Sequence, residues 1–271
     1  LAAVSLLKTA TPHHVLVHYD ARRGAREKIL EAGVKVAIGV GAEPWLELVV
    51  SDLDNFAAEI AGTGAAAAAL GSPFATVLVS PAPDLKSTLP GSVWPPCPPL
   101  AEVYAATRKA FPSARLGGGM FSYFTELNRK RPPLDEIDLV TFTNSSMVHA
   151  GDDQSVTEGL ETLPYITRSA AAVAGGMPWH AGPGALGMRA NPYGDAPTAN
   201  PRNIRQAMNR MDPRQRGLLG GAWYVGYFAH LVRGGANTVT LGGGVGEFGI
   251  AHAAMHYAQP FFDAAGGVYP A

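Results

Sequence analysis

Short apolar runs recur along this chain, separated by longer segments in which apolar residues return at helical spacing. The strand-like runs are residues 14–19 (HVLVHY), 46–51 (LELVVS), 75–80 (ATVLVS), 114–119, 137–143 (IDLVTFT), 178–182 and 238–242 (TVTLG). Helices are predicted over 25–36, 55–70, 100–111, 154–173 and 216–232. In the last of these, Leu218, Leu219, Ala222, Val225, Gly226 and Ala229 share one side, an apolar face at helical spacing. Strands alternating with helices mark the α/β class with a parallel sheet.

The expected architecture is a TIM (β/α)8-type barrel forming a single domain over residues 1–271, a length that suits one such barrel. Seven strands fall one short of closure. Residues 34–40 (VKVAIGV) alternate and would supply an eighth, but they lie so close to the next strand that a helix end is the better reading. The other account is a barrel lacking its first strand at the N-terminus, from a fragment of a longer chain that starts at Leu1 without an initiator Met. An open sheet edge needs cover, for instance from another copy of the chain in a homo-oligomer.

Residues 81–99 and 182–212 are long, irregular and rich in Pro, Gly and Asn. Both follow strands, the side on which barrels build their active face, so a functional role is expected.

Composition narrows the partners. Twenty-one basic and 22 acidic residues leave a net charge of −1, with no basic stripe to hold nucleic acid or an anionic membrane. No apolar run reaches the length of a membrane helix, and the first residues do not read as a signal peptide. A cytoplasmic setting is favoured, although composition does not fix it. The lone Cys97 excludes a disulfide framework and a cysteine zinc site. With no His or basic residue near it in sequence, it reads as a plain loop cysteine.

Chemistry-capable side chains concentrate between Gly117 and Asp153, where two strand-like runs break into polar loops. Glu126, beside Asn128 and Arg129, is a candidate general acid or base; the bland alternative is a helix start with Thr125 and Glu126 capping and Arg129 exposed. His149 and Asn144 follow the next strand, while Asp152 and Asp153 fit better as caps of the helix beginning near Gln154. His180, Arg189, Asn191 and Tyr193 suit polyol or carboxylate recognition. Trp179 either stacks on a sugar or fills the barrel wall, the commoner fate. The glycine-rich 241–249 stretch offers Glu247 as its only carboxylate and lacks the Lys-Ser/Thr of a P-loop. His18 and Asp20 end the first strand, but no closely spaced ligand pair accompanies them. Adjacent His13 and His14 are expected on opposite faces. His252 and His256 lack the intervening Glu of a zincin. No metal and no cofactor are expected.

The segments GGGMFSYFTELNRKRPP, IDLVTFTNSSMVHAGDD, HAGPGALGMRANPYG and DPRQRGLLGGAWYVGYF resemble the TIM-barrel domain of bacterial D-apionate lactonases. That family implies a sugar-lactone hydrolase related in fold to glycoside hydrolases, with the barrel as one part of a longer polypeptide. The resemblance implies that Glu126, Asn128, Arg129, His149, Arg189 and Asn191 match positions at the barrel mouth. It also implies acidic residues after the fourth and eighth strands. Here those places read Ser80-Pro81-Ala82-Pro83-Asp84 and Leu241-Gly242-Gly243-Gly244, so Asp84 and Glu247 are displaced.

Three functions follow as expectations. The first is a hydrolase opening a sugar lactone or related carbohydrate ester, with Glu126 or His149 activating water and Asn128, Arg129, Asn144, His180, Arg189, Asn191, Tyr193 and Glu247 binding the substrate. The second is a barrel glycoside hydrolase, which needs two carboxylates. The third is a degenerate barrel that binds carbohydrate without turnover.

Overall fold

The computed structural model describes residues 2–215, 217–246, 249–252 and 267–268. After α1 (Ala2–Thr9) the elements run β1 (His14–Asp20), α2 (Arg26–Val40), β2 (Glu43–Val50), α3 (Phe56–Ala69), β3 (Thr76–Pro81), α4 (Leu100–Ala110), β4 (Arg115–Tyr123) and α5 (Phe124–Arg129). They continue as β5 (Leu139–Thr143), α6 (Asp153–Glu158), α7 (Leu163–Ala174), β6 (Trp179–Gly184), α8 (Leu218–Arg233) and β7 (Thr238–Leu241). Hydrogen-bonded order in this sheet follows the sequence from β1 to β7. Three further short strands, β8 (Gly243–Val245), β9 (Gly249–His252) and β10 (Gly267–Val268), form a separate small sheet. The chain divides into two compact units, Leu1–Phe121 with Thr125–Thr141, and Ser122–Phe124 with Phe142–Ala271.

In the first unit β1, β2 and β3 pair in parallel, with His18 opposite Glu47 and Glu47 opposite Leu78. The apolar run of β2 is buried from Trp45 to Val50, as a strand covered on both faces must be. One core cluster joins Val49, Leu78, Phe121 and Leu139. Each such side chain contributes roughly 2 kcal/mol by leaving water. Helix α2 buries Leu30, Val34, Ala37 and Val40 along one stripe, so residues 34–40 end a helix. Gly41, at φ +77°, closes it by donating to Ala37 O and Ile38 O.

The glycine run of β4 is a packing requirement. A Cβ on Gly117 would lie 2.3 Å from Leu78, one on Gly118 2.5 Å from the Tyr104 hydroxyl, and one on Gly119 2.0 Å from Thr141 O. His13 precedes β1, so strand alternation does not govern it. Contrary to the expectation of opposite faces, both rings gather on Trp45, at 6.3 Å for His13 and 4.3 Å for His14.

In the second unit β6 pairs with β7 in parallel, with Ala181 opposite Val239. Trp179 is buried and stacks on Phe142 at 5.8 Å, filling the wall. The helix expected over 154–173 is interrupted by a 3-10 turn at Gly159–Thr162. Pro164, at the start of α7, has no N–H to continue the preceding turn.

The face predicted for α8 is also corrected. Leu218 is 94% exposed and Val225 71% exposed, whereas Gly220, Trp223, Tyr227 and Leu231 are buried. The aromatic residues remove more apolar area from water than the small aliphatic ones, and so they fix which side turns inward.

Candidate active site

The polar residues of the first unit meet around α5, which follows β4 directly. Glu126, expected in a loop, lies on this short helix and is fully buried. Its Oε1 accepts from the Ser87 hydroxyl at 2.6 Å and from Arg129 Nη1 at 3.4 Å. The same guanidinium donates to Thr88 O at 2.9 Å. Helical spacing puts Glu126 and Arg129 on one side, toward the segment that follows β3. Glu126 Oε2 is buried with no partner among the described residues. Glu126 is thus buried and paired and is not a helix cap, while Arg129 is exposed as the bland alternative expected, yet is bonded to Thr88 and Glu126.

Beside this corner, Lys130 Nζ donates to both oxygens of Asp84, at 2.6 and 2.8 Å. Burial raises the Asp84 pKa, and the bond and charge of Lys130 offset that only in part. Lys130 also lies 5.4 Å over the Trp94 ring. Cys97 Sγ is 4.0 Å from Asp84 Oδ2, and burial first, then the Asp84 charge, pushes its thiol up. A basic group does reach Cys97 through the fold, but the thiol is held away from the thiolate form. Asn128 is exposed, its Oδ1 accepting from Arg131 at 2.9 Å.

Sheet register builds another pair in this unit. His18 Nδ1 is 2.7 Å from Oε2 of the buried Glu47. Asp20 accepts from Arg22 Nε at 2.9 Å and from Nη2 at 2.6 Å. Burial alone would raise the Asp20 pKa, but the Arg22 bonds and charge bring it below the ordinary value.

In the second unit, buried His180 Nε2 is 2.7 Å from Thr240 Oγ1 on the adjacent strand. Asn144 Oδ1 accepts from the Tyr227 hydroxyl at 3.1 Å. Burial, and secondarily Tyr224, pushes the Tyr227 phenol far above its ordinary range, so it remains a donor. Asn191 holds a turn, accepting from Tyr193 N and donating to Ala196 O, each at 2.9 Å. Tyr193 lies 6.2 Å from Tyr123, whose hydroxyl donates to Ala190 O. The Arg189 carbonyl accepts from Arg210. His149 is exposed, and no described residue bonds its ring. Asp152 caps α6 through Ser155 N at 2.8 Å, as expected. Asp153 instead pairs with Arg205 and Arg214. Glu247 and His256 lie outside the described residues, as does the side chain of His252.

Thus Glu126 and Arg129 are brought together in one unit, and Asn191 and Tyr193 in the other. Sequence reasoning missed Ser87, Lys130, Tyr227 and Trp223. The first two carried one usable signal, their closeness to Asp84 or Arg129 in segments that follow strands. Among the described residues no three His, Cys, Asp or Glu side chains gather as a metal-ligand set, and no helix is long and apolar enough to cross a membrane.

Comparison with known proteins adds three findings. A family model described as D-apionate lactonase, TIM barrel domain, matches residues 1–271. A D-apionate lactonase of Brucella anthropi is 42% identical over 250 residues, covering 92% of this chain but 41% of that protein. This chain therefore spans less than half the length of that curated relative. Among solved structures, the β-glucuronidase of Ruminococcus gnavus matches with a TM-score of 0.57 at 9% identity, over 92% of this chain and 43% of that one. Fungal β-1,4-galactanases match at 0.54 and 10% identity, over 88% and 80%. Similarity at this identity speaks to fold alone. The fold class is the TIM barrel, with seven of its eight strands in the main sheet among the described residues.

Proposed function

The chain belongs to the D-apionate lactonase TIM-barrel domain family, and from that premise we propose that it hydrolyses a sugar lactone with Glu126 as the base that activates water. One observation carries the assignment of the base. A buried carboxylate has one oxygen fixed by Ser87 and Arg129 while the other has no partner among the described residues. A carboxylate so held has its second oxygen ready to accept a proton.

In the proposed reaction Glu126 takes a proton from water as the water oxygen bonds to the lactone carbonyl carbon. The carbonyl π electrons move to its oxygen, and the Arg129 guanidinium stabilises that charge. Collapse of the tetrahedral intermediate breaks the ring carbon–oxygen bond, and the departing alkoxide recovers the proton from Glu126. The product is the open hydroxy acid. Because Ser87 and Thr88 pin Glu126 and Arg129 from the segment following β3, that segment must shift to admit substrate.

His149 is the weaker base, since no carboxylate or carbonyl among the described residues fixes its tautomer. Among the described residues of this corner, the other carboxylate, Asp84, is bonded to Lys130, which does not favour the glycosidase reading.

Acid release from a panel of aldonolactones, including the lactone of D-apionate, tests the reading. Hydrolysis is expected for the wild type and lost in Glu126→Gln. Undiminished turnover in that variant removes Glu126 from the chemistry.

A further inference from the structure

Four buried donors of the second unit have no partner among the described residues: Asn144 Nδ2, Ser145 Oγ, Ser146 Oγ and Trp223 Nε1. Three come from consecutive residues directly after β5, and the fourth from the buried face of α8. They are connected structurally. The Trp223 indole stacks on the Tyr227 ring at 4.9 Å and 17°. The Tyr227 hydroxyl in turn bonds Asn144 Oδ1. That bond commits the amide oxygen and leaves the amide nitrogen without an acceptor. Gly184 permits the arrangement, since a Cβ there would lie 2.6 Å from the Tyr227 ring.

Burying a donor without an acceptor is costly, and folds ordinarily avoid it. Among the described residues these donors have no acceptor, so each calls for an oxygen atom brought by a ligand. All four are uncharged. Arg214, a buried cation of the same unit, is already committed to Asp212, Asp153 and the Met147 sulfur. The missing acceptors are therefore best supplied by a neutral, oxygen-rich molecule, not by an anion, which would call for a cation.

We infer that Asn144, Ser145, Ser146 and Trp223 form a subsite for carbonyl and hydroxyl oxygens of an uncharged sugar lactone. The identity of the ligand rests on the lactonase reading; the existence of the subsite rests on the donors.

The test is calorimetric titration with a sugar lactam, the hydrolysis-resistant amide counterpart of the lactone. Trp223→Phe keeps the stacking on Tyr227 and removes the N–H. Its affinity for the lactam should fall about tenfold, the worth of one neutral hydrogen bond. Its Tm should stay level or rise, because an unsatisfied buried donor has gone. A purely structural tryptophan would show the reverse. Ser145→Ala provides a second variant if the first fails to fold. Wild-type affinity in both variants, or no lactam binding by the wild type, overturns the subsite. Lactam binding weakened by these variants in a protein without lactone turnover would uphold the subsite and sink the lactonase reading instead. Lactone turnover with no effect of the variants would do the opposite.

Discussion

The two units handle buried polarity in opposite ways. Around α5 two buried carboxylates have ionic partners: Glu126 with Arg129, and Asp84 with Lys130. On β1 and β2, Asp20 pairs with Arg22, and Glu47 is hydrogen-bonded to the His18 ring. After β5, neutral donors stand without acceptors among the described residues, while Arg214 is engaged with Asp212, Asp153 and the Met147 sulfur. Ionic pairs fix carboxylates and tune their protonation, which is what proton transfer requires. Unpaired neutral donors select for oxygen atoms and leave the ligand's charge alone, which is what recognition requires. Each unit taken by itself, the first carries groups suited to proton transfer and the second groups suited to holding oxygen atoms.

The largest test of that division is Glu126→Gln. It keeps the shape and a partner for Ser87 while removing the base. The kcat for lactone hydrolysis should drop roughly 10²–10⁴-fold, the span of general base catalysis, with far-UV circular dichroism unchanged. A loss under threefold would erase the contrast.

Next comes Lys130→Met, which removes the cation from the buried Asp84 carboxylate. Chemical denaturation should show a loss of about 3 kcal/mol, typical of breaking a buried pair from one side. Adding Asp84→Asn should restore much of it, because the pair and not the cation alone is at stake. Additive losses would mean that the two groups act independently.

A pH effect follows from His14, whose pKa is lowered from 6.5 to about 4 by burial first and by adjacent His13 second. Between those values the unfolded chain binds a proton that the folded chain refuses. Stability must therefore fall as pH drops from about 6.5 to about 4, then level off. His14→Phe keeps the stack on Trp45 and should flatten that stretch of the Tm profile. An unaltered slope would place the titration elsewhere. The smallest effect is expected from His149→Ala, whose turnover should stay within about twofold of wild type for an exposed side chain with no bond among the described residues. A larger loss would return His149 to the chemistry.

Much of this was legible in the chain. The runs HVLVHY, LELVVS and ATVLVS read correctly as strands, because buried parallel strands demand unbroken apolar residues. The glycines after Leu116 fell correctly within a strand, but their reason needed Leu78, Tyr104 and Thr141, which are distant in sequence. Glu126 and Arg129 were singled out from their residue types and spacing. Ser87 was not, since its one signal, closeness to Asp84 in a segment that follows a strand, is shared with its neighbours there. The buried side of α8 was misjudged because aliphatic count was weighed above aromatic area. The reading of Cys97 as remote from any basic group failed for a simpler reason, as Lys130 approaches it only in three dimensions.

Local periodicity, turn residues and composition thus determined the α/β alternation, the absence of a basic stripe and the identity of the chemically able side chains, since each depends on neighbours along the chain. Tertiary structure alone decided which of those side chains are buried, which are paired and which are left with unfilled hydrogen bonds. Burial and pairing are properties of packed surfaces, and packing joins residues whose separation along the backbone holds no record of their contact.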